Sequence, residues 1–291
     1  MNYPTLIESI TGMETRTIAI REETPLKLRL SILFFSIALS AEVQAAPTPE
    51  TKAVFEHAML LADDIQQRVD QLIDKEQQGK IDKFTMSQSI QEATKGLEAY
   101  EDELRKASAG GHGVATYLLA NLDDGRAATL LDGHEAMHAK ACALYQSASD
   151  QGLIAGAVIV LRNCDEAFQR YKFDDPELLR KHSQLARALE QPDRYSDYYP
   201  LPARGSYCFK DSQLPEVNHQ QPLTTMRDIH QPVALSLEQF RADGYYLLAL
   251  KGDSVNPKVR AYLKQVQMLA PDCLDPSHLQ SLFEKMERKR H

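Results

Sequence analysis

Ala107-Ser108-Ala109-Gly110-Gly111-His112-Gly113-Val114-Ala115 is answered 41 residues further on by Ala148-Ser149-Asp150-Gln151-Gly152-Leu153-Ile154-Ala155-Gly156. A fainter third copy, Ala188-Leu189-Glu190-Gln191-Pro192, follows after another 40 residues. Internal periods of this length mark stacked supersecondary units, each too small to bury its own apolar face. The small residues let two helices approach closely, and Gly111 and Gly152 punctuate the turn between them. The fold class expected is therefore all-α: stacked antiparallel helix hairpins.

The flanking sequence continues the helical texture. Thr48-Pro49-Glu50 opens a segment whose apolar residues Val54, Ala58, Leu61, Ile65, Val69 and Leu72 step by threes and fours, with a capping Thr and a proline in the first turn. Met86, Ile90, Ala93, Leu97, Tyr100, Leu104 and Ala107 make a second such stripe, and Gly79 separates the two into an antiparallel pair. A further helix starts at Asp175-Pro176, with Leu178, Leu179, His182, Leu185 and Leu189 expected inside. Between Pro200 and Pro232 five prolines break any long helix and leave a loop-rich insert. Helices are expected again from Ser236 to about Lys251, from Pro257 to Leu269 and from Pro276 to about Lys289.

Ala141-x-x-Leu144-Tyr145-x-x-Ala148-x-x-x-Gly152 and Leu104-Arg105-Lys106-Ala107-x-x-x-Gly111-His112-x-x-Ala115 resemble the Sel-one-like repeat, a relative of the tetratricopeptide helical hairpin. The similarity covers roughly residues 95 to 195. The usual glycine-rich connector between repeats is replaced by Asp123-Asp124-Gly125-Arg126-Ala127, and Pro192 stands where the third turn glycine belongs. The resemblance implies a solenoid whose outer wall binds another macromolecule.

The N-terminus has the marks of export. Lys27 and Arg29 precede the apolar run Leu30 to Leu39, and Val43-Gln44-Ala45 supplies small residues before Ala46-Pro47. That is the basic, apolar, small-residue order of a secretory signal, with cleavage expected after Ala45. The run is far shorter than the roughly 20 residues of a membrane-spanning helix, so no span is expected after cleavage. The organisation expected is then a signal peptide with an upstream extension over 1–45, a helical pair over 46–110, a repeat region over 95–195, a proline-rich loop over 196–235 and closing helices over 236–291.

Composition narrows the partners. With no Trp and a net charge of −8 in 291 residues, the chain suits helices and argues against nucleic acid or anionic lipid, which reward clustered Lys and Arg. A basic protein partner is compatible with that charge. The basic tail Lys285, Arg288, Lys289 and Arg290 reads as the complement of a helix dipole. In an oxidising compartment, Cys142, Cys164, Cys208 and Cys273 suggest two disulfides, and four cysteines allow three connectivities. Cys142 lies 10 residues before the Gly152 turn and Cys164 lies 12 after it, so antiparallel helices bring the two to a similar height. Cys208 and Cys273 are then left to pin the loop insert onto the closing helices.

The sharpest catalytic candidate is His134-Glu135-Ala136-Met137-His138, the H-E-x-x-H pattern in which two imidazoles one turn apart hold zinc and the Glu serves as general base. Glu166 or Asp165 would supply the third ligand. Against it, Asp132 and Glu135 have capping-box spacing, and charged Asp132 and Lys140 flank a segment that opens a repeat helix. There is no G-x-S-x-G elbow, P-loop or G-x-G-x-x-G, the other histidines are scattered, and neither an enzymatic activity nor a cofactor is expected. The tyrosines Tyr195, Tyr198, Tyr199 and Tyr207, in loop sequence, are candidate contacts for a partner.

A soluble periplasmic binding module is the expected function, since helical solenoids vary their outer residues without altering the stack. Acidic exported proteins with Sel-one-like repeats resemble the immunity proteins that accompany type VI secretion phospholipase effectors. An envelope-assembly scaffold is the second binding reading, and a zinc peptidase through His134 and His138 is the enzymatic one.

Overall fold

The computed structural model describes residues 46–127, 132–164, 174–203, 205–206, 208–209, 217–230, 233–252 and 257–273. The expected signal segment, Asp165, Glu166, Tyr207, and the expected last helix with its basic tail lie outside the described residues. Residues Gln44–His291 form one compact unit, so the regions marked out from residue 46 onward fall within it. The chain is mostly helical. No described helix is long and apolar enough to cross a membrane.

Helix α1 (Pro49–Gln77) begins where the sequence says it should. The Thr48 hydroxyl accepts from the Thr51 N–H and Pro49 occupies the first turn. Its inward stripe buries Phe55, Ala58 and Leu72 against α2 (Lys83–Ala109), which contributes Tyr100, Leu104 and Ala107. Gly79 turns the chain between them at φ 64°. Its N–H donates to the Glu76 carbonyl and the Lys80 N–H to the Lys75 carbonyl, a closure that needs a left-handed residue.

The same closure recurs at both halves of the sequence repeat. Gly111 and Gly152 sit at φ 85° and 93°. Their N–H groups donate to Ser108 and Ser149, and the next N–H groups, of His112 and Leu153, donate to Ala107 and Ala148. They separate α2 from α3 (Gly113–Ala127) and α4 (His134–Asp150) from α5 (Ile154–Asn163). Close approach of α5 to α4 depends on Gly156, where a Cβ would come within 2.7 Å of the Ser149 amide nitrogen. Every residue of α5 from Ile154 to Leu161 is buried, which makes it the central helix of the core. From α1 to α6 (Pro176–Glu190) each described helix packs on its predecessor.

Three expectations need correction. Asp123 to Ala127 is no connector, because α3 runs through it, held by the ion pairs of Arg126 with Glu101 and with the buried Asp123. Leu179 is 51% exposed, since Leu178, His182, Leu185 and Leu189 already fill the inner stripe and residue 179 falls about 100° round the helix. The proline-rich insert is not all loop. It contains β1 (Leu201–Ala203), paired antiparallel with β2 (Val233–Leu235) in the register Leu201 to Leu235, and the short helix α7 (Pro222–His230). Glu76 at the end of α1 accepts from the Leu223 and Thr224 N–H groups, each at 2.9 Å, and so caps α7.

Helix α8 (Leu237–Leu250) opens with the full capping box of Ser236 and Gln239 and packs against α5 and α6. Helix α9 (Lys258–Leu269) lies on α8 over a small second core of Ala242, Tyr246, Val259, Leu263 and Val266. Both expected disulfides are present. Cys142 and Cys164 join the α4–α5 hairpin with Cα atoms 5.6 Å apart, and Cys208 and Cys273 tie the insert to the segment after α9. Each contributes about 2–4 kcal/mol.

Candidate functional site

The two ends of the helix array differ. At the end carrying Gly111 and Gly152, residues 192–203 run across both hairpin turns and act as a strap. The first N–H groups of any helix lack intrahelical acceptors. Leu153, at the N-cap of α5, offers no side-chain acceptor, and the strap supplies it: Asp193 Oδ2 accepts from the Ile154 N–H at 2.9 Å and the Tyr199 hydroxyl from the Ala155 N–H at 3.2 Å. The Tyr199 hydroxyl in turn donates to Asp193 Oδ2 at 2.8 Å, while Asp193 Oδ1 takes the Tyr195 N–H at 2.6 Å. At the other hairpin the Tyr195 hydroxyl accepts from the Gly113 N–H at 2.9 Å and donates to the Gly111 carbonyl at 3.3 Å. Farther along, Tyr117 of α3 donates to the Pro202 carbonyl at 2.7 Å.

The tyrosines expected to meet a partner are thus mostly turned inward. Tyr195 is 3% exposed, and burial raises the Tyr195 and Tyr199 hydroxyl pKa values, so both remain neutral donors. Tyr198 is half-buried and packs edge-on against Phe55 and His112, with centroids 5.4 and 5.1 Å away. The partner-contact expectation is corrected for Tyr195, whose ring belongs to the core. A tyrosine in proline-rich sequence carries no signal of which way it points. His112, one of the scattered histidines, is fully buried, stacked on Phe55 at 4.1 Å. Its Nδ1 caps α3 through the Ala115 N–H at 3.4 Å, and burial, aided by the charge of Lys52, lowers its pKa to about 4.

At the opposite end, α4, α5 and α6 enclose a groove of about 780 Å³. His134 and Glu135 on α4, Glu177, Arg180 and Lys181 on α6, and the Cys142–Cys164 disulfide line it. The capping box expected of Asp132 and Glu135 does not form: Gly133, at φ 80°, is the N-cap of α4 and no side chain bonds there. Glu135 is left exposed toward the groove. The His134 and His138 rings stack with centroids 6.1 Å apart, one helical turn from each other. His138 Nδ1 lies 3.0 Å from the Asp124 carboxylate, and its Nε2 faces the Asn163 carbonyl at 3.3 Å and Cys142 Sγ at 3.5 Å. The Nε2 that a zincin would point at metal in an open cleft is here directed at the disulfide.

Ion pairs knit the helices beside this groove. Glu101 on α2 receives Arg126 and Arg105, and Asp123 receives Lys140 at 3.0 Å. The hydrogen bond from Arg126 holds the Glu101 carboxyl below its usual range. The C-terminal carbonyls of α5 take two lysines: Lys181 donates to Cys164 O, and buried Lys251 to Leu161 O at 2.5 Å. Arg162 pairs with Asp243 of α8 at 2.9 Å with both side chains buried, and Asp243 also accepts the Cys208 N–H at 3.3 Å. Asp124, Asn163, Lys181, Asp193 and Asp243 carry these contacts, and none of them was singled out in the sequence for the contact it makes: Asp124 read only as part of a connector, and Asp193 only follows the broken third turn. No family model, curated protein or solved structure matches this chain.

Proposed function

We propose that this chain is a periplasmic protein-binding module, an immunity protein that binds and neutralises a secreted antibacterial effector of the phospholipase type. The observation that carries the reading is the open groove at one end of the helix array, walled by three helices and rimmed by charges of both signs on α4 and α6. Its walls are held by a disulfide across α4 and α5, and the far end is strapped, so the rim is pre-organised for a rigid partner. We read the consecutive packing of α1 to α6, with identical turns at Gly111 and Gly152, as a Sel-one-like solenoid. Two disulfides favour an oxidising compartment. Cleavage after Ala45 would leave the Thr48 cap of α1 intact.

The reading is tested by exporting the candidate effector to the periplasm of cells with and without this protein. Rescue should accompany a one-to-one complex on gel filtration, and reversing charges at the rim, with Glu135→Lys and Arg180→Glu together, should weaken that complex at least tenfold. Unchanged toxicity across the effectors encoded beside the gene would turn the reading toward an envelope-assembly scaffold.

A further inference from the structure

We propose that the Cys142–Cys164 disulfide masks a metal site: on reduction, Cys142, Cys164 and His138 form a three-ligand centre for a tetrahedral thiophilic cation such as zinc(II), its fourth position facing the groove. The nearest donor atoms of the three residues all lie within 4.8 Å of one another. The His138 ring explains why the third ligand is ready. A carboxylate only accepts, so Asp124, 3.0 Å from Nδ1, requires the proton of a neutral ring to sit on Nδ1. Nε2 faces Cys142 Sγ at 3.5 Å and the Asn163 carbonyl oxygen at 3.3 Å; the neutral ring turns a lone pair toward the sulfur, and where the ring is protonated and donates to that carbonyl the cation takes the place of the proton. A carboxylate on the far nitrogen is also the partner that orients a metal-bound imidazole and raises its basicity.

The sulfurs need to separate to about 3.7 Å to share one ion at thiolate distances of about 2.3 Å. With Cα atoms 5.6 Å apart, rotation of the two side chains can provide that without moving α4 from α5. Arg180 and Lys181 line the same groove, and nearby cations favour thiolates. The reductant is a dithiol: its two thiols become a disulfide while Cys142 and Cys164 gain two electrons and two protons. The cation then displaces both protons as it binds.

The test uses the whole mature protein without a histidine tag. Reduction by a water-soluble phosphine, which is oxidised to its oxide, is followed by free-thiol counting and titration with zinc(II), with cobalt(II) absorption reporting thiolate ligation. We expect one equivalent bound only after reduction, loss of that equivalent in the Cys142→Ser/Cys164→Ser double variant, and affinity at least tenfold weaker in His138→Ala. Asp124→Asn, which keeps the side-chain shape, should weaken binding less than His138→Ala and serves if the double variant fails to fold. Equal binding by the oxidised protein, full affinity in His138→Ala, or fully reduced thiols that take up no cation would each overturn the proposal.

Discussion

Replacing Asp193 by Asn should loosen the strap without removing an atom of bulk. Asp193 is 7% exposed and its two oxygens accept three hydrogen bonds, from the N–H groups of Tyr195 and Ile154 and from the Tyr199 hydroxyl. Asn has one acceptor oxygen. If that oxygen takes the Oδ2 place, Ile154 and Tyr199 stay satisfied, but the amide NH₂ then points at the Tyr195 N–H, donor against donor. The opposite rotamer orphans two donors instead. One buried donor left unmade costs about 1–3 kcal/mol, and the surviving bonds lose their charge assistance, so the total is about 2–4 kcal/mol. With a urea m-value of about 3 kcal/mol/M for a chain of this size, the midpoint of unfolding followed by far-ultraviolet circular dichroism should fall by about 1 M. The exposed neighbour Asp197, changed to Asn, should leave it in place. A midpoint for Asp193→Asn within about 0.2 M of the parent would mean the strap does not carry the α5 N-terminus.

His112 is buried neutral with a pKa near 4, against about 6.5 when unfolded, so its contribution is complete above pH 6.5 and is lost as pH falls toward 4. That amounts to about 3 kcal/mol, about 2 of it between pH 7 and 5; in His112→Phe the stability difference between those two pH values should shrink accordingly, and an unchanged difference would place the titration elsewhere. Asp243→Ala strands the 5%-exposed Arg162 guanidinium and should cost about 3–5 kcal/mol by denaturant melting, whereas Arg162→Met with Asp243→Leu should recover most of it. Gly111→Ala meets nothing within 4 Å and pays only for φ 85°, about 1–2 kcal/mol, while Gly156→Ala drives a Cβ to 2.7 Å from backbone and should lower the thermal midpoint several-fold further.

Turn chemistry and periodicity were legible because each is local. Gly111 and Gly152 declare left-handed closures from their spacing alone, and once the second turn is fixed, the height of Cys164 beside Cys142 follows from helix geometry. The Thr48 and Ser236 caps were equally local. Contacts made across long chain separations gave no such trace. Tyr195 reaches Gly113 over 82 residues and Glu76 reaches Leu223 over 147, so neither the inward turn of the tyrosines nor the capping of α7 could be read from a period. The His134–His138 pattern shows the opposite failure. Spacing placed both rings on one helix face, but the direction of His138 Nε2 depends on Asp124 at the end of α3, which no spacing within α4 reports.

The strap also explains why the array should present its groove only at the other end. Helices α3 and α5 both start under residues 192–199, where their unpaired N–H groups attract acceptors, and strap side chains fill those positions. At the opposite end the C-terminus of α5 offers carbonyls, which draw cations, and Lys181 and Lys251 answer from α6 and from the end of α8. Lys251 is buried and serves the fold, whereas Lys181 donates from the groove wall while also pairing with the exposed Glu177 at 2.9 Å. A partner that brings a carboxylate to this wall meets in Lys181 a cation already anchored by the carbonyl end of α5. The two ends therefore differ in kind: at one, the amide starts of α3 and α5 are sealed by the chain's own tyrosines and Asp193, and at the other the carbonyl end of α5 meets the first turns of α4 and α6, which carry the charges of the groove.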